Sequence, residues 1–233
     1  MKITNYGICV GIAWLFFNMI IKRLSIKLIS IIIISFIIQS YLCKTCDSKY
    51  TMASVISVLP ILLLFSYDCL SLKNILLAIS ISFAIGRIGC YFAGCCTGPE
   101  CDKILYSIEY TDNYVVNKNT NKRTVTVYPT IILEIIIQFA IAFIVYKSKH
   151  GIVWFGILNL ILMILTHQWR REPRMNNMLI PIGSLFALSL FAFFKCRTVN
   201  NYKLSMNFKP YMVIIAIVFT LIISNDININ YFS

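Results

Sequence analysis

Eight apolar runs of membrane or near-membrane length, at residues 6–21, 28–42, 52–71, 74–96, 130–146, 151–169, 178–194 and 211–224, leave this chain few ways to fold. A bilayer core takes about 20 apolar residues of helix to cross. In hydrocarbon each backbone N–H and C=O needs an internal partner, so such runs become helices. Several of the runs are short, and flanking residues must complete them. A chain of 233 residues that is 59% hydrophobic and 13% charged carries more apolar surface than a soluble domain of its size needs. The expected fold is therefore an all-α polytopic membrane protein. The first run follows M-K-I-T-N as a signal peptide would, yet no small-x-small cleavage site closes it, and it reads as a retained helix.

A formal net charge of +12 raises the question of nucleic acid. The lysines and arginines are scattered singly or in twos and threes between apolar runs, a pattern that suits membrane lipids with anionic headgroups. No nucleic-acid partner is expected. The basic residues divide evenly between the two faces of the expected bundle, so charge alone does not orient it.

Only one polar break is long. Residues 97–128 hold two alternating, β-rich stretches, 104–110 and 123–128, with a turn-forming run at 117–121 between them. This predicts a small β-containing head between the fourth and fifth helices. The expected organisation is a membrane core over 1–200, with the head at 97–128, followed by a linker and an extra hydrophobic helix over 201–233.

Residues 84–98 read A-I-G-R-I-G-C-Y-F-A-G-C-C-T-G and place Arg87 inside a membrane-length run. An arginine there costs roughly 2.5–3.5 kcal/mol unless it faces a partner, a cavity or an anionic ligand, so it marks a candidate site. Gly86, Gly89, Gly94 and Gly98 either let helices approach closely or leave backbone bare for a ligand. Glu134 is the second ionisable residue of this kind, one turn into a helix that Pro129 suits as a start. Two readings stand open: a buried Arg87–Glu134 pair that fixes packing, or an arginine that holds a phosphate while the carboxylate orients it.

The sixth run ends in Thr166-His167-Gln168-Trp169-Arg170-Arg171-Glu172-Pro173, where His167 is one of two histidines. Of the nine cysteines, Cys9, Cys69 and Cys90 lie within or at the ends of apolar runs, where a thiol behaves as a small hydrophobe. Cys43-x-x-Cys46 and Cys95-Cys96-x4-Cys101 are candidates for a dithiol relay or zinc, though neither spacing repeats a C-x-x-C…C-x-x-C pattern. Packing or an incidental disulfide is the expectation, and neither a metal nor a cofactor is expected.

Gly86-Arg87-Ile88-Gly89-Cys90-Tyr91-Phe92-Ala93-Gly94-Cys95-Cys96-Thr97-Gly98 closely resembles the signature of prolipoprotein diacylglyceryl transferases, in the branch that carries G-C-C. Tyr128-Pro129-Thr130 through Glu134 resembles that family's H-P-[ST]-x-x-x-E segment, and Arg171-Glu172-Pro173 its R-E-P. The matches fall in the family's order over about residues 50–195. The resemblance implies a seven-helix membrane core that moves diacylglyceryl from phosphatidylglycerol to the cysteine thiol of a prolipoprotein signal peptide, in the inner membrane of a bacterium. It also implies that Arg87 neutralises the lipid phosphate, that Glu134 and Arg171 line the same cavity, and that the N-terminus and the head lie outside.

This chain departs from the family where the third helix opens: it reads Tyr50-Thr51-Met52-Ala53-Ser54 in place of a His-Gly-Gly or Tyr-Gly-Gly motif. Ile164 and Gln168 stand where the family carries arginine and glutamate, and Cys90 where many members carry asparagine. The expected catalytic residues are Arg87, Arg171, Tyr50 and His167, the last two as proton acceptors. Gly86, Gly89, Gly98, Glu134 and Gln168 are the expected substrate contacts, in a shallow site beneath the head. The alternative readings are a catalytically altered lipid-binding relative and a membrane thiol oxidoreductase built on Cys43 and Cys46.

Overall fold

The computed structural model describes residues 4–21, 25–42, 51–102, 105–111, 122–168, 179–196 and 208–232. Among them are eight helices: α1 (Asn5–Ile21), α2 (Ile26–Leu42), α3 (Thr51–Ser66), α4 (Cys69–Ala93), α5 (Thr130–Lys147), α6 (Gly151–Gln168), α7 (Leu179–Lys195) and α8 (Pro210–Phe232). One antiparallel pair, β1 (Ile108–Thr111) and β2 (Thr124–Val127), lies between α4 and α5 with Ile108 opposite Val127. The all-helical fold and the β excursion are as the sequence predicts. The turn expected at 117–121 lies outside the described residues. Helices α4 and α5 are long and apolar enough to cross a membrane, and the other described apolar stretches are shorter.

Helix α4 is the hub. It packs against α1 and α5, and more lightly against α3 and α6, while α6 continues to α7, α7 to α3, and α3 to α2. Its start is fixed by Asp68, whose Oδ2 accepts from Ser71 N at 3.0 Å, an N-cap bond. The hydrogen bonds from Ser71 hold the Asp68 carboxyl below the usual carboxylate range. Cys69, read from the sequence as a small hydrophobe, instead forms a disulfide with Cys196 just beyond α7. That bond ties the two helix ends together where Lys195 Nζ donates to Leu64 O and Lys73 Nζ to Ser148 O.

The main core draws on α1 to α7, with Leu63, Leu72, Leu76, Ile141, Leu185 and Leu188 fully enclosed. Within it Gln138 of α5 donates to Asn159 of α6 at 2.9 Å, and Asn159 donates to Phe155 O. Both amides are buried, so this short chain of hydrogen bonds fixes the rotation of α5 against α6. On the opposite side of α4, Ser82 donates to Ala13 O of α1 at 2.9 Å. Large apolar side chains such as Ile33, Phe143, Phe186, Phe194 and Ile222 remain exposed along the outer helix faces.

Helix α8 packs on α1 through small residues. A Cβ built on Gly11 would stand 2.1 Å from Thr220 Oγ1 and 2.7 Å from Ala216 O, and one on Gly7 would meet Ser224 and Thr220 O as closely. Thr220 can turn its side chain away, but the Ala216 carbonyl is backbone. Gly11→Ala is therefore expected to cost about 1–3 kcal/mol as an overpacking change, read as a lower unfolding temperature in detergent. Adding Thr220→Ala should restore only part of the loss, and an unchanged unfolding temperature for Gly11→Ala would contradict the close α1–α8 contact.

Candidate functional site

Arg87 sits near the end of α4 that faces the β pair, and Glu134 one turn into α5 beside it. Antiparallel helices joined through the head place these two positions at the same level. The Arg87 Nε lies 3.1 Å from Glu134 Oε2, and the two side chains are 7% and 1% exposed. The contact is an ion pair rather than a well-directed hydrogen bond, because among the described residues Nε has no acceptor in good hydrogen-bond geometry. The guanidinium also lies over the Phe83 ring, with Cζ 4.6 Å from the centroid, a cation–π contact from one turn earlier on α4. Its Nη1 reaches Cys90 Sγ at 4.0 Å. A buried donor left without an acceptor costs about 1–3 kcal/mol. An anionic oxygen brought to this guanidinium would therefore meet a donor that Glu134 engages only poorly, as well as a full charge.

The glycines divide. Gly86 has, beyond its own stretch of helix, no described residue within 4 Å of a built Cβ, so the space beside it is open among the described residues. Gly89 instead lies against Cys9 and Tyr6 of α1, at 3.0 and 3.2 Å. Gly98 is pressed against Tyr128 O and Thr130 Oγ1, both 2.6 Å from its built Cβ, which closes the turn from α4 onto the start of α5. Tyr50 and Arg171 lie outside the described residues. His167 and Gln168 are the last two residues of α6, at the head end of the bundle, but their side chains lie outside the described part. Ile164 exposes 45% of its surface on the same helix. Cys43 and Cys46, on which the oxidoreductase reading rests, also lie outside the described residues.

A cluster of thiols forms here that the cysteine spacing does not reveal. Gly94 ends α4 in the left-handed conformation at φ 66°. Its N–H bonds to Tyr91 O, and Cys95 N–H bonds to Cys90 O at 3.2 Å. This 6→1 and 5→2 pair is the Schellman arrangement, which folds the second residue past the helix back over its last turn. Cys95 is thereby laid on Cys90. Cys96 follows with φ 58°, the one non-glycine residue with positive φ among those described, a backbone state that costs an ordinary side chain roughly 1–2 kcal/mol. The Cys90, Cys95 and Cys96 sulfurs all lie within 4.8 Å of one another. Gly94 five residues after Gly89, with cysteines just inside and just past it, was the available signal, and treating Cys90 as a core hydrophobe hid it. Tyr6 of α1, not singled out from the sequence, is close enough to interact electrostatically with the thiols and Arg87.

The β pair roofs this region. Ile108, Tyr110, Val125 and Val127 form a second core with Cys90 and Ile131, against which Tyr6, Tyr91, Cys95 and Cys96 pack. Tyr110 donates its hydroxyl to Tyr91 O at 3.0 Å, pinning the roof to the end of α4, and burial raises its phenol above the ordinary value. Segment 99–101 is held along β2 by Cys101 N–H to Thr126 O and Tyr128 N–H to Pro99 O. A hollow of about 410 Å³ on the head, lined by Glu100, Cys101, Asp102, Lys122 and Thr124 to Thr126, contains none of the residues around Arg87. The pair and the thiols thus lie beneath the head.

Fold and site together define a helical bundle whose hub carries a buried guanidinium–carboxylate pair and three thiols under a small β roof. The prolipoprotein diacylglyceryl transferase family model matches residues 51–222, taking in α3 to α7, the head and most of α8. The chain belongs to that family. No curated protein and no solved structure matches it.

The burial of the pair makes a stability test. Glu134→Leu leaves the Arg87 charge enclosed without its carboxylate and is expected to cost about 3–5 kcal/mol. The double variant Arg87→Met with Glu134→Leu removes both charges and should recover most of that. Thermal unfolding in detergent reads the difference, and a double variant less stable than Glu134→Leu alone would contradict the pairing.

Proposed function

We propose that this chain is a multi-pass inner-membrane enzyme that moves diacylglyceryl from phosphatidylglycerol to the thiol of a lipoprotein signal-peptide cysteine. The observation that carries the reading is the Arg87–Glu134 pair, enclosed beneath the head and inside the family match. The apolar side chains on the outer helix faces support placement in a bilayer. With the head outside, lipid would reach Arg87 from the outer leaflet.

In this mechanism the thiol sulfur attacks the glyceryl carbon and the bond from that carbon to the phosphate oxygen breaks. Glycerol phosphate leaves with the electron pair, and the thiol's proton passes to it or to a nearby acceptor. Arg87 stabilises the charge gathering on the phosphate. Glu134 holds the guanidinium in place through Nε and gives way there as a phosphate oxygen approaches. Gly86 leaves backbone uncovered on the same helix for lipid to approach. Tyr50, His167, Gln168 and Arg171 complete the site as sequence-based assignments, with Arg171 supplying the second positive charge that Ile164 does not.

A second reading, a relative that binds the lipid without turning it over, is favoured by the loss of the family's histidine motif at residues 50–54 and of its arginine at Ile164. Labelled phosphatidylglycerol and a peptide carrying the signal cysteine separate the two. Thioether product and released glycerol phosphate are expected, with Arg87→Ala lowering the rate about 10²–10³-fold, as loss of a key charge-stabilising group does. Arg171→Ala should cost as much. Bound lipid with no glycerol phosphate would establish the non-catalytic relative instead.

A further inference from the structure

We propose that Cys90, Cys95 and Cys96 form a binding site for a thiophilic divalent cation of the zinc class, with one open coordination position that takes the acceptor cysteine's thiolate. The three sulfurs already lie within 4.8 Å of one another. Around a zinc ion, with sulfurs about 2.3 Å from the metal, neighbouring sulfurs stand about 3.8 Å apart. Closing the trio is thus a matter of about 1 Å of side-chain movement at most. Two independent backbone features bring the trio together: the Schellman turn that lays Cys95 on Cys90, and the left-handed Cys96 that swings the third thiol inward. A strained non-glycine residue held at φ 58° fits a functional constraint better than packing alone.

Among the described residues the cluster holds three ligand groups, and Cys101 is not one of them. Three protein ligands with a fourth position open is the coordination of a catalytic rather than a structural zinc. A divalent ion with three thiolates carries one net negative charge, and Arg87 is at hand, its Nη1 4.0 Å from Cys90 Sγ.

The function of the open position rests on the transferase reading. The reaction needs a thiolate. A thiol that coordinates such an ion is deprotonated outright. The acceptor R–SH would bind as R–S⁻ and release its proton, which ends on the departing glycerol phosphate. The metal-bound sulfur then attacks the glyceryl carbon as the bond from that carbon to the phosphate oxygen breaks. The thioether, a poorer ligand, dissociates, and the ion is unchanged. With Arg87 beside Cys90, the phosphate it holds would lie next to the activated sulfur.

The test uses the full chain in detergent under reductant, stripped with a chelator and titrated with Zn²⁺, then with Cd²⁺ for its thiolate charge-transfer band. One ion per chain is expected, lost in Cys90→Ser, Cys95→Ser and Cys96→Ser but kept in Cys9→Ser and Cys101→Ser. Retention of the ion by the first three variants, or no binding by the unaltered protein, overturns the site. Should a serine variant fail to fold, the unaltered protein still decides. A cysteine-bearing signal peptide should raise the Cd²⁺ band by about one third as a fourth thiolate joins three, while the serine version of the peptide leaves it flat. A flat response to both overturns the open position. Transfer that runs at full rate after chelation overturns the metal's role and leaves the transferase reading intact. A bound ion and a peptide response without any lipid transfer would sink the transferase reading and leave the site standing.

Discussion

The ion pair between Arg87 and Glu134 is the constraint the rest of the structure satisfies. Two full charges enclosed this deeply are tolerable only as partners, because either one alone would cost several kcal/mol. The requirement sets the level at which α4 and α5 meet. There Gly98, just past α4, is pressed against Tyr128 and Thr130 at the start of α5. The head then closes over the junction with Tyr110 anchored on Tyr91. Among the described residues Nε meets no well-directed acceptor and the space beside Gly86 is open. Both support the proposal that the site holds an anionic group.

Much of this was legible in the residues. Hydrophobic runs bounded by Lys, Arg, Asn and Pro located the eight helices among the described residues, because a helix in an apolar setting has to satisfy its own backbone, though α4 begins at Cys69, inside the run expected to form α3. Strict alternation at 123–128 matched β2, and Pro129 marked the start of α5. The Arg87–Glu134 contact was one of two readings that the sequence left open, and the pairing is present while its role in holding a ligand stays a proposal. Family membership followed from the Arg87 signature and is shown by the match over 51–222.

What remained hidden depends on contacts that no local period encodes. The Cys69–Cys196 disulfide joins residues 127 apart in sequence, and an apolar setting gave no hint of it. Cys90 reads as one more small core residue until a left-handed turn at Gly94 brings Cys95 back onto it. Gly89 and Gly11 both serve close approach of α1 and its neighbours, whereas Gly86 does not, and the sequence cannot separate a glycine that packs from one that is bare. The contact of α8 with α1 is similarly a long-range pairing of small residues, and it places the last apolar run within the bundle.

The central claim is that Arg87 receives the phosphate of a membrane lipid beneath the head while Glu134 holds it in place. A structure of the protein in nanodiscs of phosphatidylglycerol tests this most directly. A lipid phosphate is expected within hydrogen-bonding distance of the Arg87 guanidinium, with the Nε donor engaged and the glyceryl carbon facing the Cys90, Cys95 and Cys96 sulfurs. Lipid phosphates found only at the outer helix faces, with the guanidinium still closed on Glu134 alone, would contradict it.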